Sequence, residues 1–92
     1  MSRIRWTTTA ADDFAHVVNR IREEKPTAAH RVAQTIFSRV ELLQSLPHRG
    51  GFGRAENTRE LVFPPWPYIV VYELIADQVQ ILRIRHASQD WP

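Results

Sequence analysis

Hydrophobic periodicity changes twice along this 92-residue chain, from strand to helix and back, and those changes limit the folds open to it. In TAADDFAHVVNRIREEK, Phe14, Val18 and Ile21 recur at helical spacing with Ala11 and Val17 beside them. The pattern predicts an amphipathic helix over about residues 10–24. Thr9, with Asp12 three residues on, resembles a capping box at its start. Pro26 then interrupts. Ala29, Val32, Ala33, Ile36, Phe37, Val40 and Leu43 form one stripe, which predicts a second helix over about residues 27–45. So short a break implies an antiparallel helical hairpin. Outside the helices the period drops to two. RIRWT (3–7) reads as a first strand, and TRELVF, YIVVYELI and QVQILRIRH as three more. PPWP (64–67) is a stiff turn whose prolines cannot sit in a central ladder, and ADQ suits a tight hairpin. All three glycines fall in PHRGGFGRAEN (47–57), a loop. The order is β-α-α-β-β-β: an α+β fold, one sheet with the helical hairpin on one face, and a single domain over residues 1–92.

Composition narrows the function classes. With no cysteine there is no disulfide, thiolate nucleophile or Cys-based zinc site. No apolar run approaches the roughly 18 residues of a membrane helix, and the N-terminus lacks the apolar core of a signal peptide. A soluble, cytoplasmic protein with no membrane partner is expected. Eleven arginines stand against one lysine, Lys25, at a net charge of +2. Arginine forks onto carboxylates and phosphates alike, so nucleic acid and an acidic protein both stay open as partners, as does a genomic bias toward arginine codons. His16, His30 and His48 have no ligand spacing, so no metal site is expected. RGGFGR follows a helix rather than a strand, and Ser38 and Ser45 have no base nearby in sequence. No cofactor is expected. Trp6, Phe37 and Tyr72 are assigned to the core, and Trp91 to capping the sheet or packing under the helices. Trp66, between prolines, is assigned to the surface as a partner anchor.

The densest cluster of chemistry is RIRH at 83–86. Strict strand alternation puts Arg83 and Arg85 on one face with Val79 and Ile81, and His86 on the other with Leu82 and Ile84. On that geometry the histidine and the arginines do not converge. The arginines then read first as a docking face for carboxylates, next as a solvated strand face, and last as a phosphate site. His86 reads as a structural or docking residue before a general acid. Arg49, Arg54 and Arg59, in and beside the glycine loop, extend the basic surface.

Five stretches together resemble the RelE/ParE superfamily of bacterial type II toxins. They are the Ala-Ala-Asp start of the first helix, LPHRGGFGR after the second, TRELV, YIVVY and VQILRIRHASQDW. The resemblance implies a small twisted antiparallel sheet carrying a two-helix hairpin. It also implies a toxin of a type II toxin–antitoxin (plasmid stabilisation) system, neutralised by a cognate antitoxin whose disordered segment folds on binding. DNA would be reached only through the antitoxin. That antitoxin would lie along the helical hairpin and sheet edge, with acidic residues meeting Arg83 and Arg85.

RelE-like members cleave messenger RNA in the ribosome, whereas ParE-like members poison DNA gyrase. Metal-free RNA cleavage needs a base, cations for the phosphorane and an acid. Aligned through Tyr68 and Tyr72, the basic positions of RelE-like nucleases fall on Glu60, Val62, Ile69 and near Gln89, none of them basic. The resemblance therefore favours a ParE-like gyrase poison without catalytic residues, with Arg54, Arg59, Trp66, Arg83 and Arg85 as partner-binding residues. The alternatives are a metal-independent endoribonuclease using Glu60, Arg59, Arg83 and His86, and a non-toxic module that only binds its antitoxin.

Overall fold

The computed structural model describes residues 2–88. Strand β1 (Arg3–Trp6) leads into helix α1 (Thr8–Glu24), and Lys25 alone separates α1 from helix α2 (Pro26–Glu41). A 3₁₀ turn, Leu42–Gln44, closes α2. Strands β2 (Gly51–Phe52), β3 (Arg59–Phe63), β4 (Trp66–Ile75) and β5 (Gln78–His86) follow. The described strands form one sheet in the order β1-β5-β4-β3-β2. β2 to β5 pair antiparallel, and β1 lies parallel to β5 because the helical hairpin carries the chain back across the sheet. The α+β arrangement expected from periodicity is the one observed, with β2 added inside the glycine loop.

α2 buries Ala29, Val32, Ile36 and Val40, and Leu43 of the 3₁₀ turn extends the line. They meet Leu61, Phe63, Val70, Tyr72, Val79 and Ile81 on the inner face of the sheet. Each fully buried aliphatic of this kind contributes about 1.5–3 kcal/mol. Phe37 departs from expectation: it is 41% exposed. It stands about 100° round the helix from Ile36, at the margin of a stripe wider than the surface available to cover it. Trp6 is half-buried against Phe14, with ring centroids 5.5 Å apart.

α1 starts earlier than the Thr9–Asp12 pattern implied. Thr7 is the N-cap, extended at φ −69° and ψ 159°, and its Oγ1 accepts from the Ala10 amide at 3.0 Å. β1 ends at Trp6, so the first unpaired helical amides lie within reach of Thr7 and leave Thr9 inside the helix. Trp66 likewise departs. Pro64 and Pro65, joined by a cis bond, make the turn alone, while Trp66 opens β4 and packs half-buried against the core. Trp91 lies outside the described residues.

Tyr72 is fully buried, as expected, and its hydroxyl fixes the glycine loop. The hydroxyl accepts from the Gly50 amide at 2.8 Å and donates to the Pro47 carbonyl at 2.9 Å. Burial raises its pKa above the ordinary 10.0, against the opposing pull of the Gly50 hydrogen bond and the Arg59 charge. The folded state therefore holds a proton that the unfolded state releases from pH 10.0 upward. That contribution to stability is complete below pH 10.0 and falls as pH rises beyond it. Tyr72→Phe is expected to cost about 1–3 kcal/mol at neutral pH, because the buried Gly50 loses its partner. It should also flatten the alkaline limb of stability. Urea unfolding at pH 7 and across the alkaline range checks both.

Candidate functional site

The sequence-predicted residues fall at two ends of the sheet. At one end, β5 outruns β1. β1 pairs only with Gln78–Ile81, which leaves the far half of β5 at an open edge. At that point β5 carries one extra residue: Tyr72 pairs with Ile81 but Val71 pairs with Arg83, so Leu82 forms a β-bulge. The Leu82 carbonyl accepts from Thr7 Oγ1 at 3.1 Å. Two residues on, the Ile84 amide donates to Asp13 Oδ2 at 2.9 Å. Arg83 grips the same carboxylate, Nε to Oδ2 at 2.8 Å and Nη2 to Oδ1 at 3.3 Å. The hydrogen bond that Arg83 donates to the Asp13 carboxylate raises the Arg83 pKa. One carboxylate of α1 thus seals the edge that β1 leaves open.

The bulge corrects the strict-alternation reading of RIRH. Beyond Leu82 the parity flips, so His86 and Ile84 share the inner face with Val79 and Ile81. Arg83 and Arg85 pair with Val71 and Ile69 on the outer face. The arginines do stay together, but not with Val79 and Ile81, and His86 is no neighbour of Leu82. His86 meets Tyr68 edge-on, with ring centroids 5.7 Å apart. Its Nδ1 accepts from the Ser88 amide at 3.1 Å, which fixes the end of the strand. Tyr68, raised above its ordinary pKa by burial against the Arg20 charge, stands between two clefts. One, of about 220 Å³, is lined by Ile21, Val32, Trp66 and His86; the other, of about 180 Å³, by Asp13, His16 and Arg20.

The other end is the glycine loop. Arg59 turns its guanidinium inward, Nη1 donating to Gly50 O at 2.7 Å and His48 O at 3.3 Å, and lies 4.7 Å over the Phe52 ring. Glu60 Oε2 accepts from the Arg54 amide at 3.0 Å. Arg59 pairs with Tyr72 and His86 with Tyr68, four residues apart on β4, or about 13 Å along the sheet. Glu60 and Arg83 both pair with Val71, two strands apart on the outer face, or about 10 Å. The four residues of the nuclease alternative are thus split between the two faces. Among the described residues no group of three His, Cys, Asp or Glu side chains could hold a metal ion, and no helix is long and apolar enough to cross a membrane.

Sequence reasoning missed Asp13, Arg20 and Phe52. Asp13 did carry a signal. It lies three residues after Ala10 and four before Val17, a carboxylate on an otherwise apolar stripe.

Residues 4–91 match the family model described as ParE toxin of type II toxin–antitoxin system, parDE. The chain belongs to the ParE toxin family. Among curated relatives, the putative toxin Y4kP of Sinorhizobium fredii is 41% identical, over 98% of this chain and 93% of that protein. Toxin RelE2 of Caulobacter vibrioides is 35% identical, over 97% and 99%. Among solved structures, a chain of the chromosomal ParDE system from P. aeruginosa superposes with a TM-score of 0.85 at 25% identity, covering 96% of this chain and 98% of that one. A chain of the E. coli RelBE complex shares the fold, with a TM-score of 0.62 at 11% identity, covering 97% and 100%. Membership of the ParE family fits the ordering of the sheet and hairpin described above.

Asp13→Ala is expected to destabilise the protein by about 2 kcal/mol, most of it from the Ile84 amide, since Arg83 is over a third exposed and its ion pair is screened. Asp13→Asn keeps an acceptor for Ile84 and should cost less. Urea unfolding of Asp13→Ala, Arg83→Ala and the double variant measures the coupling.

Proposed function

We propose that this ParE-family protein arrests bacterial growth in the cytoplasm by poisoning DNA gyrase through protein contact, and that a cognate antitoxin neutralises it. The observation that carries this reading is the commitment of the candidate nuclease cations elsewhere. Arg83 is held by Asp13, and Arg59 by two loop carbonyls, while His86 lies on the opposite face from Arg83. A ribonuclease has to aim a base, an acid and cations at one phosphate. A protein-docking toxin has no such need.

The antitoxin reading is supported by the solved neighbours, which are described as toxin–antitoxin systems and complexes. Exposed Phe37, Leu42 and Leu46 offer an apolar strip along α2 and the 3₁₀ turn. Arg85 lies on the outer face beside Ile69, where an acidic antitoxin segment is expected to meet it. DNA is reached only through the antitoxin.

One arrangement favours the second reading, a ribosome-dependent endoribonuclease. His86, Tyr68 and Arg20 border the same clefts, where a titratable ring, a phenol and a cation stand together.

The test is a gyrase assay on antitoxin-free protein, scoring linear cleaved plasmid and lost supercoiling. Accumulated cleaved DNA is expected. A toxic, folded protein that leaves gyrase untouched sinks the gyrase target, and ribosomal RNA cleavage abolished by His86→Ala then establishes the second reading. Overexpression that does no harm leaves an antitoxin-binding module. Separately, Arg85→Glu is expected to weaken the antitoxin complex about tenfold or more by calorimetric titration, through like-charge repulsion.

A further inference from the structure

Phe52 is 87% exposed, the most exposed large hydrophobic side chain among the described residues. It is not carried on a slack loop. The Gly50 amide is held by the Tyr72 hydroxyl, the Gly50 carbonyl by Arg59, the Gly53 amide by the Thr58 carbonyl at 2.9 Å, and the Arg54 amide by Glu60. Two glycines make this closeness possible. A Cβ on Gly50 would stand 2.7 Å from the Tyr72 hydroxyl, and one on Gly53 would collide with Thr58 Oγ1. The loop is thus tied down on both sides of Phe52, and Arg59 stacks on its ring. An aromatic held in place before binding loses little freedom when it binds. A cleft of about 460 Å³ runs beside it, bordered by His48, Arg54, Asn57 and Leu74.

The charges of the surrounding segment bear on the kind of partner. Arg49, Arg54 and Arg59 are offset by Glu56 and Glu60, for a net of one positive charge over residues 48–60 with histidine neutral. Arg59 is already occupied by carbonyls. A phosphate backbone would meet two carboxylates and few available cations, whereas nucleic-acid sites depend on concentrated positive charge. An exposed aromatic among arginines, with a rim of mixed sign, has the composition of a protein–protein hot spot.

We propose that Phe52 is the anchor by which the toxin docks onto the protein it poisons, inserting into an apolar pocket of that protein with a rim of mixed charge, while the antitoxin is held near the opposite edge of the sheet. This rests on the reading of the protein as a toxin acting by protein contact. It names the target-facing surface of that reading.

The experiment compares wild type, Phe52→Ala and Phe52→Tyr for growth arrest on induction without antitoxin, for thermal midpoint, and for affinity to the antitoxin. Phe52→Ala should need at least about tenfold more protein to arrest growth. Its midpoint should be unchanged and its antitoxin affinity within about threefold of wild type, with Phe52→Tyr restoring arrest. Undiminished arrest by Phe52→Ala overturns the proposal. So does a tenfold loss of antitoxin affinity, which would make the loop an antitoxin contact, or binding of a single-stranded oligonucleotide by wild type that Phe52→Ala abolishes. A wild type inert on gyrase, with arrest still dependent on Phe52, rejects the gyrase target and keeps the anchor. A wild type that never arrests growth overturns both.

Discussion

The carboxylate of Asp13 closes the stretch of β5 that β1 leaves open. β1 is four residues long and β5 is nine, so β5 has backbone groups with no strand to meet them. Such an edge is a template for unwanted pairing. Thr7 and Asp13, both at the start of α1, take over where β1 stops. Thr7 binds the Leu82 carbonyl and Asp13 the Ile84 amide. Both bonds also fix the entry angle of α1 onto the sheet, so edge protection and helix placement are one arrangement. The bulge at Leu82 belongs to it as well. An extra residue lets the Leu82 carbonyl turn to Thr7 while the ladder to β4 resumes at Arg83. Everything distal to the bulge is consequently reversed, and His86 joins the inner face instead of the outer.

Several of the arginines are engaged with their own chain. Arg83 is folded against Asp13, Arg59 is turned into the glycine loop, and Arg39 lies 5.5 Å over the ring of the buried Phe63. These three guanidiniums serve as structural cross-links whose planar fork suits carboxylates, carbonyls and rings alike. A small domain has few buried residues to spare, and long side chains lying along its surface extend the core. They supply the fold with hydrogen bonds and packing without changing the net charge of +2.

Periodicity made the element order and the sheet-plus-hairpin architecture legible, because burial on one face dictates the apolar spacing of every long element. Strict alternation read through QVQILRIRH passed over the bulge, although the sequence marks it: Val79 and Ile81 are apolar at odd positions and Leu82 and Ile84 at even ones, so the apolar parity shifts at the Ile81–Leu82 doublet. The N-cap was misplaced for another reason. TTT at 7–9 offers three hydroxyls, and only the end of β1 decides which of them is non-helical. Trp66 was assigned to the turn by its flanking prolines, yet Pro67 is tolerated inside β4 because it lies in a bulge, where β4 takes three steps from Ile69 to Trp66 against one on β3 from Val62 to Phe63. The candidate residues themselves were visible as residue types. What they do was not, because a sequence does not say whether an arginine meets a partner or its own chain.

The separation of the two ends bears on how neutralisation works under the proposed function. β5 and β2 are three strand spacings apart, about 14 Å, on opposite sides of the sheet. A short peptide bound at Arg85 would leave Phe52 uncovered. Neutralisation then requires an antitoxin that extends across the molecule or carries bulk enough to clash with the target beside the loop. An ordered-on-binding segment meets that requirement cheaply in sequence length, since an extended chain covers about 3.3 Å per residue and would cross the sheet in about five residues. It would also have to round an edge of the sheet, because Arg85, Ile69 and Val62 lie on the outer face whereas Phe52 pairs with Arg59 on the face of Tyr72.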